Sequence, residues 1–548
     1  MSKTQGRLVV LAMAFVLVAQ SAALAADPLR ITDPVQVTEG DLVPTRTYSS
    51  PYLAIDPQNP LNAVAAFVDM RARRCGLLRS TDGGQSWVQL DSAPSLPSYP
   101  FCFHTSGGVT QTPLAFGKNG TLYYALSAWD TQDGGNRRNI SVALARSDDL
   151  GDTWETTLVR DTRGFEDDQV ENNRPVSGVA VDTSGDTDVV YVAWRANFPT
   201  ADPSLPSEPM VAVSTDGGRT FSEPINATAD FFEDESVIAD ELEFVEENAE
   251  EPPDEPITSQ NFGGGNPQLA VADNGTVYVL WQQATTGLEP RPDVPMYLSK
   301  STDRGATWTI SEVSPPSNWY GGPVLRWSPE GGPEGSLHVV YENKIDQTQG
   351  DRDIHHRRST DGGATWSDDT ILHDDDPEQL IGQFIPNLSV APNGRLDAVW
   401  WDFRHDPGTY QNDVYYTYST DNGVTWSQNI RVTDRSINRK IGPWSNNFDM
   451  RQPPGVASAE DYALFGWDDT RNGDPVGQAQ DIFSSAVQFS VLEGGTPNAL
   501  KYVLAGVIGL VVVGIVLLIL AMATRRRAGP PPETERVRER EPEPSGVS

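Results

Sequence analysis

The residues best suited to chemistry recur in one setting. Apolar runs close on a polar cluster seven times: Asp69 with Arg71, Trp129-Asp130, Trp194-Arg195, Trp281-Gln282, Tyr341-Glu342, Trp401-Asp402 with Arg404, and Trp467-Asp468 with Arg471. A guanidinium pairs with a carboxylate in bidentate fashion and an aromatic ring packs on a sugar face, so a ring of such clusters suits an acidic sugar. Arg174, in Asn172-Asn173-Arg174-Pro175, stands at the head of a strand and is the foremost candidate to face a substrate, with Arg195, Arg404 and Arg471 behind it. A second reading stays open: a repeated sequence repeats its ion pairs, and Asp402 with Arg404 then braces one loop per repeat. The histidines, His355-His356 included, show no zinc-type spacing, and no Ser-His-Asp order is legible. The acidic stretch from Asp230 to Glu255, around Phe231, Phe232, Phe244 and Val245, lacks the alternating oxygen ligands and central glycine of an EF-hand. It reads as a solvated, mobile insertion, with calcium binding as the alternative that no motif supports, and no other cofactor is expected. Asn226-Ala227-Thr228 and Asn387-Leu388-Ser389 match the glycosylation sequon.

What must position these clusters is a repeat. The octet Ser359-Thr360-Asp361-Gly362-Gly363-Ala364-Thr365-Trp366 returns at Ser80–Trp87, Ser147–Trp154, Ser214–Phe221, Ser301–Trp308 and Ser419–Trp426. Each copy holds Ser, an Asp two on, a Gly two further and an aromatic three beyond. The Asp side chain can bond back to nearby backbone N–H groups, glycine supplies positive φ, and the aromatic opens a returning strand, which together make a tight antiparallel turn. Upstream of each octet lies another pattern: a strand starting at or just after a proline, a short turn such as Asn274-Gly275 or Asn393-Gly394, and a strand ending in the polar cluster. Its prolines are Pro51, Pro113, Pro175, Pro267, Pro323, Pro386 and Pro454, seven against six octets. Each unit is therefore a four-stranded meander, and the chain an all-β propeller of seven blades, with six as the alternative. The last unit lacks an octet and a fourth strand, which Arg30–Glu39 can supply by closing the ring. Long connections, including 160–174, 226–266, 433–452 and 468–480, all fall on the face away from the octets, which is where binding belongs.

The octets resemble the Asp-box, or BNR, repeats of the sialidase superfamily. That resemblance implies structural roles for Asp82, Asp149, Asp216, Asp303, Asp361 and Asp421, on the face opposite an active site, and it implies glycan recognition with hydrolysis as one outcome. A sialidase-type mechanism uses three arginines for the substrate carboxylate, a tyrosine nucleophile paired with a glutamate, and an aspartate acid/base. Carried onto this sequence, Glu342 with Tyr410, and Asp402, take the catalytic places. The family's Arg-Ile-Pro motif is absent, Arg30-Ile31-Thr32 being the nearest fragment, and the family pattern is six-bladed. The rival is a non-catalytic propeller that binds a glycan or protein or assists envelope assembly, its arginines paired with neighbouring acids.

The ends place the molecule. Residues 1–26 read as a secretory signal, 27–490 as the propeller ectodomain, 491–501 as a linker, 502–523 as a transmembrane helix and 524–548 as a disordered cytoplasmic tail led by Arg525-Arg526-Arg527. The expectation is a single-pass cell-surface protein. A formal net charge of −36 in 548 residues argues against nucleic acid and anionic lipid as partners. Cys75 and Cys102 lie in the exported part, where a disulfide is the default.

Overall fold

The computed structural model describes residues 29–489 apart from 39–46, most of 91–98, 104–112, 162–177, 197–206, most of 238–261, 286–293, 345–351, 376–380, 444–451 and a few isolated positions. The signal, transmembrane and tail expectations lie outside these residues, and among the described residues no helix is long and apolar enough to cross a membrane.

Seven antiparallel sheets follow one another along the chain, each built on a four-stranded blade; those of blades 2, 6 and 7 carry a fifth strand, and Thr131–Asp133 with Asn136–Arg138 forms a separate two-stranded ribbon. Blade 1 comprises Tyr48–Ile55, Ala63–Asp69, Arg74–Ser80 and Val88–Gln89; blade 2, Leu114–Phe116, Leu122–Trp129, Ser141–Ser147 and Glu155–Arg160; blade 3, Gly178–Asp182, Val189–Ala196, Glu208–Ser214 and Ile225–Asn226. Blade 4 comprises Phe262–Val271, Val277–Thr285, Val294–Ser301 and Thr309–Ser317; blade 5, Tyr320–Ser328, Ser336–Lys344, Arg352–Ser359 and Thr370–Ile371; blade 6, Gln383–Val390, Leu396–Asp402, Gln411–Ser419 and Ile430–Arg431. Blade 7 has Gly455–Ser458, Tyr462–Asp469 and Asp481–Gln488, and its outer edge is completed from the other end of the chain by Arg30–Ile31 and Val35–Gln36. The first strands touch one another round the ring, so they form its inner wall.

Period-two alternation builds the seams between blades. In the second strand of blade 3, Val190, Val192 and Trp194 join the cluster shared with blade 2, while Tyr191 and Ala193 join the one shared with blade 4. Each of the seven seams carries one such buried apolar cluster. The Cys75–Cys102 disulfide forms, and it lies in the seam between blades 1 and 2.

All six octets close in the same way. The Ser hydroxyl takes the amide of the residue four on and donates to the Asp, whose carboxylate receives the backbone N–H and hydroxyl of the Ser or Thr four positions beyond it. The second glycine carries a further constraint. A Cβ on Gly363, at φ 90°, would stand 2.3 Å from Leu298 of the preceding blade, and one on Gly84 would stand 2.4 Å from Leu464. The first glycine position is freer, since Leu150, Arg304 and Asn422 fill it at φ 55°, 61° and 62°. Each turn is thus seated on its predecessor, and Gly363→Ala is expected to cost about 2 kcal/mol or more in urea unfolding, from strain and overpacking together.

Three expectations need correction. The strands after Pro113 and Pro454 do begin directly behind them, and Pro175 lies outside the described residues, but Pro51, Pro267, Pro323 and Pro386 lie inside their strands, at register shifts. There the missing N–H costs no ladder bond, and at three of the bulges the residue before the proline sits at positive φ: Ser50 (65°), Gly322 (52°) and Ile385 (45°). The start of the acidic insertion is no solvated loop, because Phe231 and Phe232 form short 3-10 turns and pack edge-on against Trp281 in the seam between blades 3 and 4. Asn387 is only 3% exposed and donates to the Pro454 carbonyl, so its sequon sits where no glycan fits.

Candidate functional site

A meander puts the octet turns and the first turns on one face, and the second-to-third loops and crossovers on the other. The second strands end on that loop face, so the polar clusters gather there, yet the structure spends those of blades 5, 6 and 7 on bracing. In blade 6, Trp400 Nε1 donates to Asp402 (3.0 Å), and Arg404 grips Asp402 (2.8 Å), Asp374 (2.9 Å) and Asn429 (3.0 Å) with its guanidinium 3.9 Å from the Tyr415 ring centroid. Blade 7 repeats the device: Trp467 Nε1 to Asp469 (3.1 Å), and Arg471 to Asp469 (2.7 Å) and Asp434 (2.7 Å) over Phe483. Asp374 and Asp434 belong to the crossovers entering blades 6 and 7, so each arginine ties a crossover to its blade. The acid serving Arg471 is Asp469 and not Asp468.

Asp468 and Glu342 do a different job. Asp468 receives Ser49 Oγ (2.7 Å) and the amide of strained Ser50 (3.2 Å), joining blade 7 to blade 1; burial pushes its pKa up to about 6. Glu342, fully buried, binds Arg352 (2.8 Å) and the amide of strained Ile385 (3.1 Å), joining blade 5 to blade 6. Strained backbone at a proline bulge is held in each case by a carboxylate from the preceding blade. Tyr410 lies beneath Lys440, whose Nζ is 4.1 Å from its ring centroid. Arg195 follows Tyr191 and Ala193 on the side facing blade 4, away from Trp194. Arg174 lies outside the described residues.

A cavity of about 350 Å³ opens where the end of blade 2 meets blade 3, lined by Arg160, Trp194, Glu208, Met210, Glu223 and Asn226, with Pro224. Glu208 starts the third strand, Asn226 ends the fourth, and Trp194 is fully buried behind them. Arg160 reaches Glu223 at 3.6 Å, but Glu223 is 94% exposed and the pairing is loose. Glu208 has neither hydrogen bond nor ion pair among the described residues, and burial alone raises its pKa. A half-buried carboxyl with no partner among the described residues, in a cavity that an indole also lines, can donate a proton or bind a hydroxyl. Sequence reading passes over it because nothing local distinguishes a glutamate at a strand start.

Two histidine groups give stability a pH optimum. On the octet face, His338 Nε2 donates to Asn422 Oδ1 (3.1 Å), which leaves Nδ1 to accept from His356 Nε2 (3.1 Å). Burial pulls His338 down to about 4 and His356 well below its ordinary value. On the loop face, burial opposes the charge of His373, but the hydrogen bond its Nδ1 donates to Asp375 and the ion pair with Asp353 (3.0 Å) outweigh it and raise the pKa to about 9. The depressed pair contributes stability present above pH 6.5 and lost as pH falls toward 4, while His373 contributes stability present below 6.5 and lost as pH rises through 9. From these histidines thermal melts should peak near pH 6.5, with roughly 3 kcal/mol lost to His338 alone on the acid side, partly offset by Asp468, whose raised pKa favours the fold as pH falls below 6. His338→Gln is expected to flatten that limb. Among the described residues no group of three or more His, Cys, Asp or Glu side chains is arranged to hold a metal.

No family model matches the chain, and no curated protein does. Among solved structures it is similar to a protein of unknown function from Dyadobacter fermentans (14% identity, 84% of this chain and 100% of that one, TM-score 0.45). It is also similar to an α-L-arabinofuranosidase of Fusarium graminearum (12%, 84% and 98%, 0.39) and to a Trypanosoma rangeli sialidase (15%, 70% and 55%, 0.39).

Proposed function

We propose that this chain is an exported propeller, held at the cell surface by the 502–523 span, that binds carbohydrate through the cavity between blades 2 and 3. In this reading the octets are Asp boxes that secure the opposite face. One observation carries it: the Glu208 carboxyl has no partner among the described residues and lines a cavity of about 350 Å³, whereas Arg404, Arg471, Asp402 and Glu342 are already engaged in bracing. The lining holds two glutamates against one arginine, so a neutral sugar fits better than a sialic acid, whose carboxylate adds a further negative charge. Glycoside hydrolysis is a second reading, favoured by the raised pKa of Glu208, which suits a general acid.

The test uses the purified full chain on a glycan array and on fluorogenic neutral glycosides and sialosides. Neutral glycans are expected to bind, with affinity falling about tenfold in Glu208→Gln and unchanged in Arg471→Ala. Any neutral-glycoside turnover should fall a hundredfold or more in Glu208→Gln. Absence of binding to every glycan, or binding indifferent to Glu208, overturns the proposal; release from the sialoside moves the site to the arginines.

A further inference from the structure

The arginines of blade 1 are left without acids. The turn that joins its second strand to its third lies on the loop face and carries Arg71 and Arg73, and Arg74 opens the third strand, so three guanidiniums stand within four positions. Asp69 Oδ1 receives the backbone amides of Arg71 and Ala72 (both 2.9 Å). Arg71 donates to neutral acceptors, Thr47 Oγ1 (3.1 Å) and the Gly477 carbonyl (2.9 Å), and the side chains of Arg73 and Arg74 have no hydrogen bond or ion pair among the described residues. Arg71 and Arg74 are exposed, and Arg73 is half-buried. In a chain with 76 acidic residues against 40 basic ones, three arginines beside one carboxylate are a local reversal of charge.

The turn is also held in place. Arg73 sits at φ 54°, in the left-handed region that a long side chain seldom occupies, and its carbonyl accepts the Cys102 amide (2.9 Å). The Cys75–Cys102 disulfide fastens the same two segments covalently. Beside them Val68, Trp129 and Ile140 are buried together, and Met70 and Phe101 pack on that cluster with part of their surface left to solvent. The Phe101 ring is stacked on Trp129, 5.7 Å between centroids.

We propose that this patch docks an acidic segment of another protein, a few carboxylates interleaved with apolar side chains. Arginine, methionine and phenylalanine concentrate at protein interfaces, and a turn already fixed loses little freedom on binding. An anionic polysaccharide also offers carboxylates, but it repeats its charge along its whole length and is repelled by this acidic molecule wherever it leaves the patch. A protein segment can confine its charge to the arginines. The patch is separate from the cavity at Glu208 and independent of its role.

The probe is a fluorescein-labelled random copolymer of glutamate and tyrosine, titrated with the full chain and followed by anisotropy, with unlabelled polygalacturonate as competitor. The copolymer is expected to bind, and its affinity to fall about tenfold or more in Arg73→Gln/Arg74→Gln at low salt. Lys118→Gln/Arg219→Gln removes the same charge from exposed positions on the octet face and is expected to change nothing. Met70→Ser alters no charge and is expected to weaken binding about threefold. All these positions lie at least partly at the surface, and melting curves should match the unaltered chain within a few degrees. Absence of binding, equal losses in the two charge variants, indifference to Met70→Ser, or displacement of the copolymer by polygalacturonate at a lower carboxylate concentration overturns the proposal.

Discussion

Replacing Arg395 with alanine is expected to lower the stability of the propeller by about 3–5 kcal/mol, the largest effect of any single side chain described. Arg395 is 3% exposed and its partner Asp397 fully buried, their atoms 3.0 Å apart. From the first turn of blade 6 the guanidinium also reaches the carbonyls of Ala459, Glu460 and Tyr462 in blade 7 and lies 3.8 Å from the Phe489 ring centroid. Alanine would leave Asp397 charged in the core and three carbonyls of the next blade without their donor. Arg395→Lys keeps the charge but not the fork, and should recover less than half of the loss. Asp397 also receives the hydroxyls of Tyr416 and Ser458, both at 2.6 Å, so Asp397→Asn should be costly too, and the double variant less costly than the sum. Urea melts of the four proteins measure the coupling; additive losses would show that the pair acts independently.

Deleting residues 27–38 should be as damaging by another route. The deletion uncovers the edge of Asp481–Gln488 and strips Val37 from the seam between blades 7 and 1, together with Ile31 and Leu29 from the seam between blades 6 and 7. It also removes the Thr38 hydroxyl from buried Asp481 (3.1 Å). A drop in Tm on the order of 10 °C follows from the apolar area alone. The bared edge should further drive association visible by size exclusion, because an unpaired strand edge templates pairing. A peptide of residues 27–40 added in trans should restore the monomer; a truncated chain that melts normally would mean that the first strand is ornamental.

The architecture was legible because its signals are local. Ser359, Asp361 and Gly363 make a turn whatever surrounds them, and the shortage of one strand after Gln488 pointed to Arg30 as the source. The proline bulges were misplaced because the extra strand residues before Pro51 and Pro386 are recruited by the neighbouring second strand, a partner that local pattern does not reveal. The site was harder for the same reason. Arg404 and Arg471 look available until Asp374 and Asp434 arrive from crossovers 30 and 37 residues away. Glu208 looks ordinary until burial removes its water and leaves it unmatched. Residue type is written in the chain, whereas the state of a charge is set by what folding brings beside it.

Blade 7 is also where the two ends of the described chain meet, since Arg30 pairs with Gln488. Any pull on the chain beyond Phe489 is delivered to Asp481–Gln488 and passes into Arg30–Ile31 and Tyr462–Asp469 on either side of it. Strands loaded along their length resist as many hydrogen bonds acting at once, whereas strands peeled from an end yield one bond at a time. A pull from that end would thus meet a strand paired on both sides, and the seam between blades 1 and 2, which holds Cys75–Cys102, lies one blade beyond the closure.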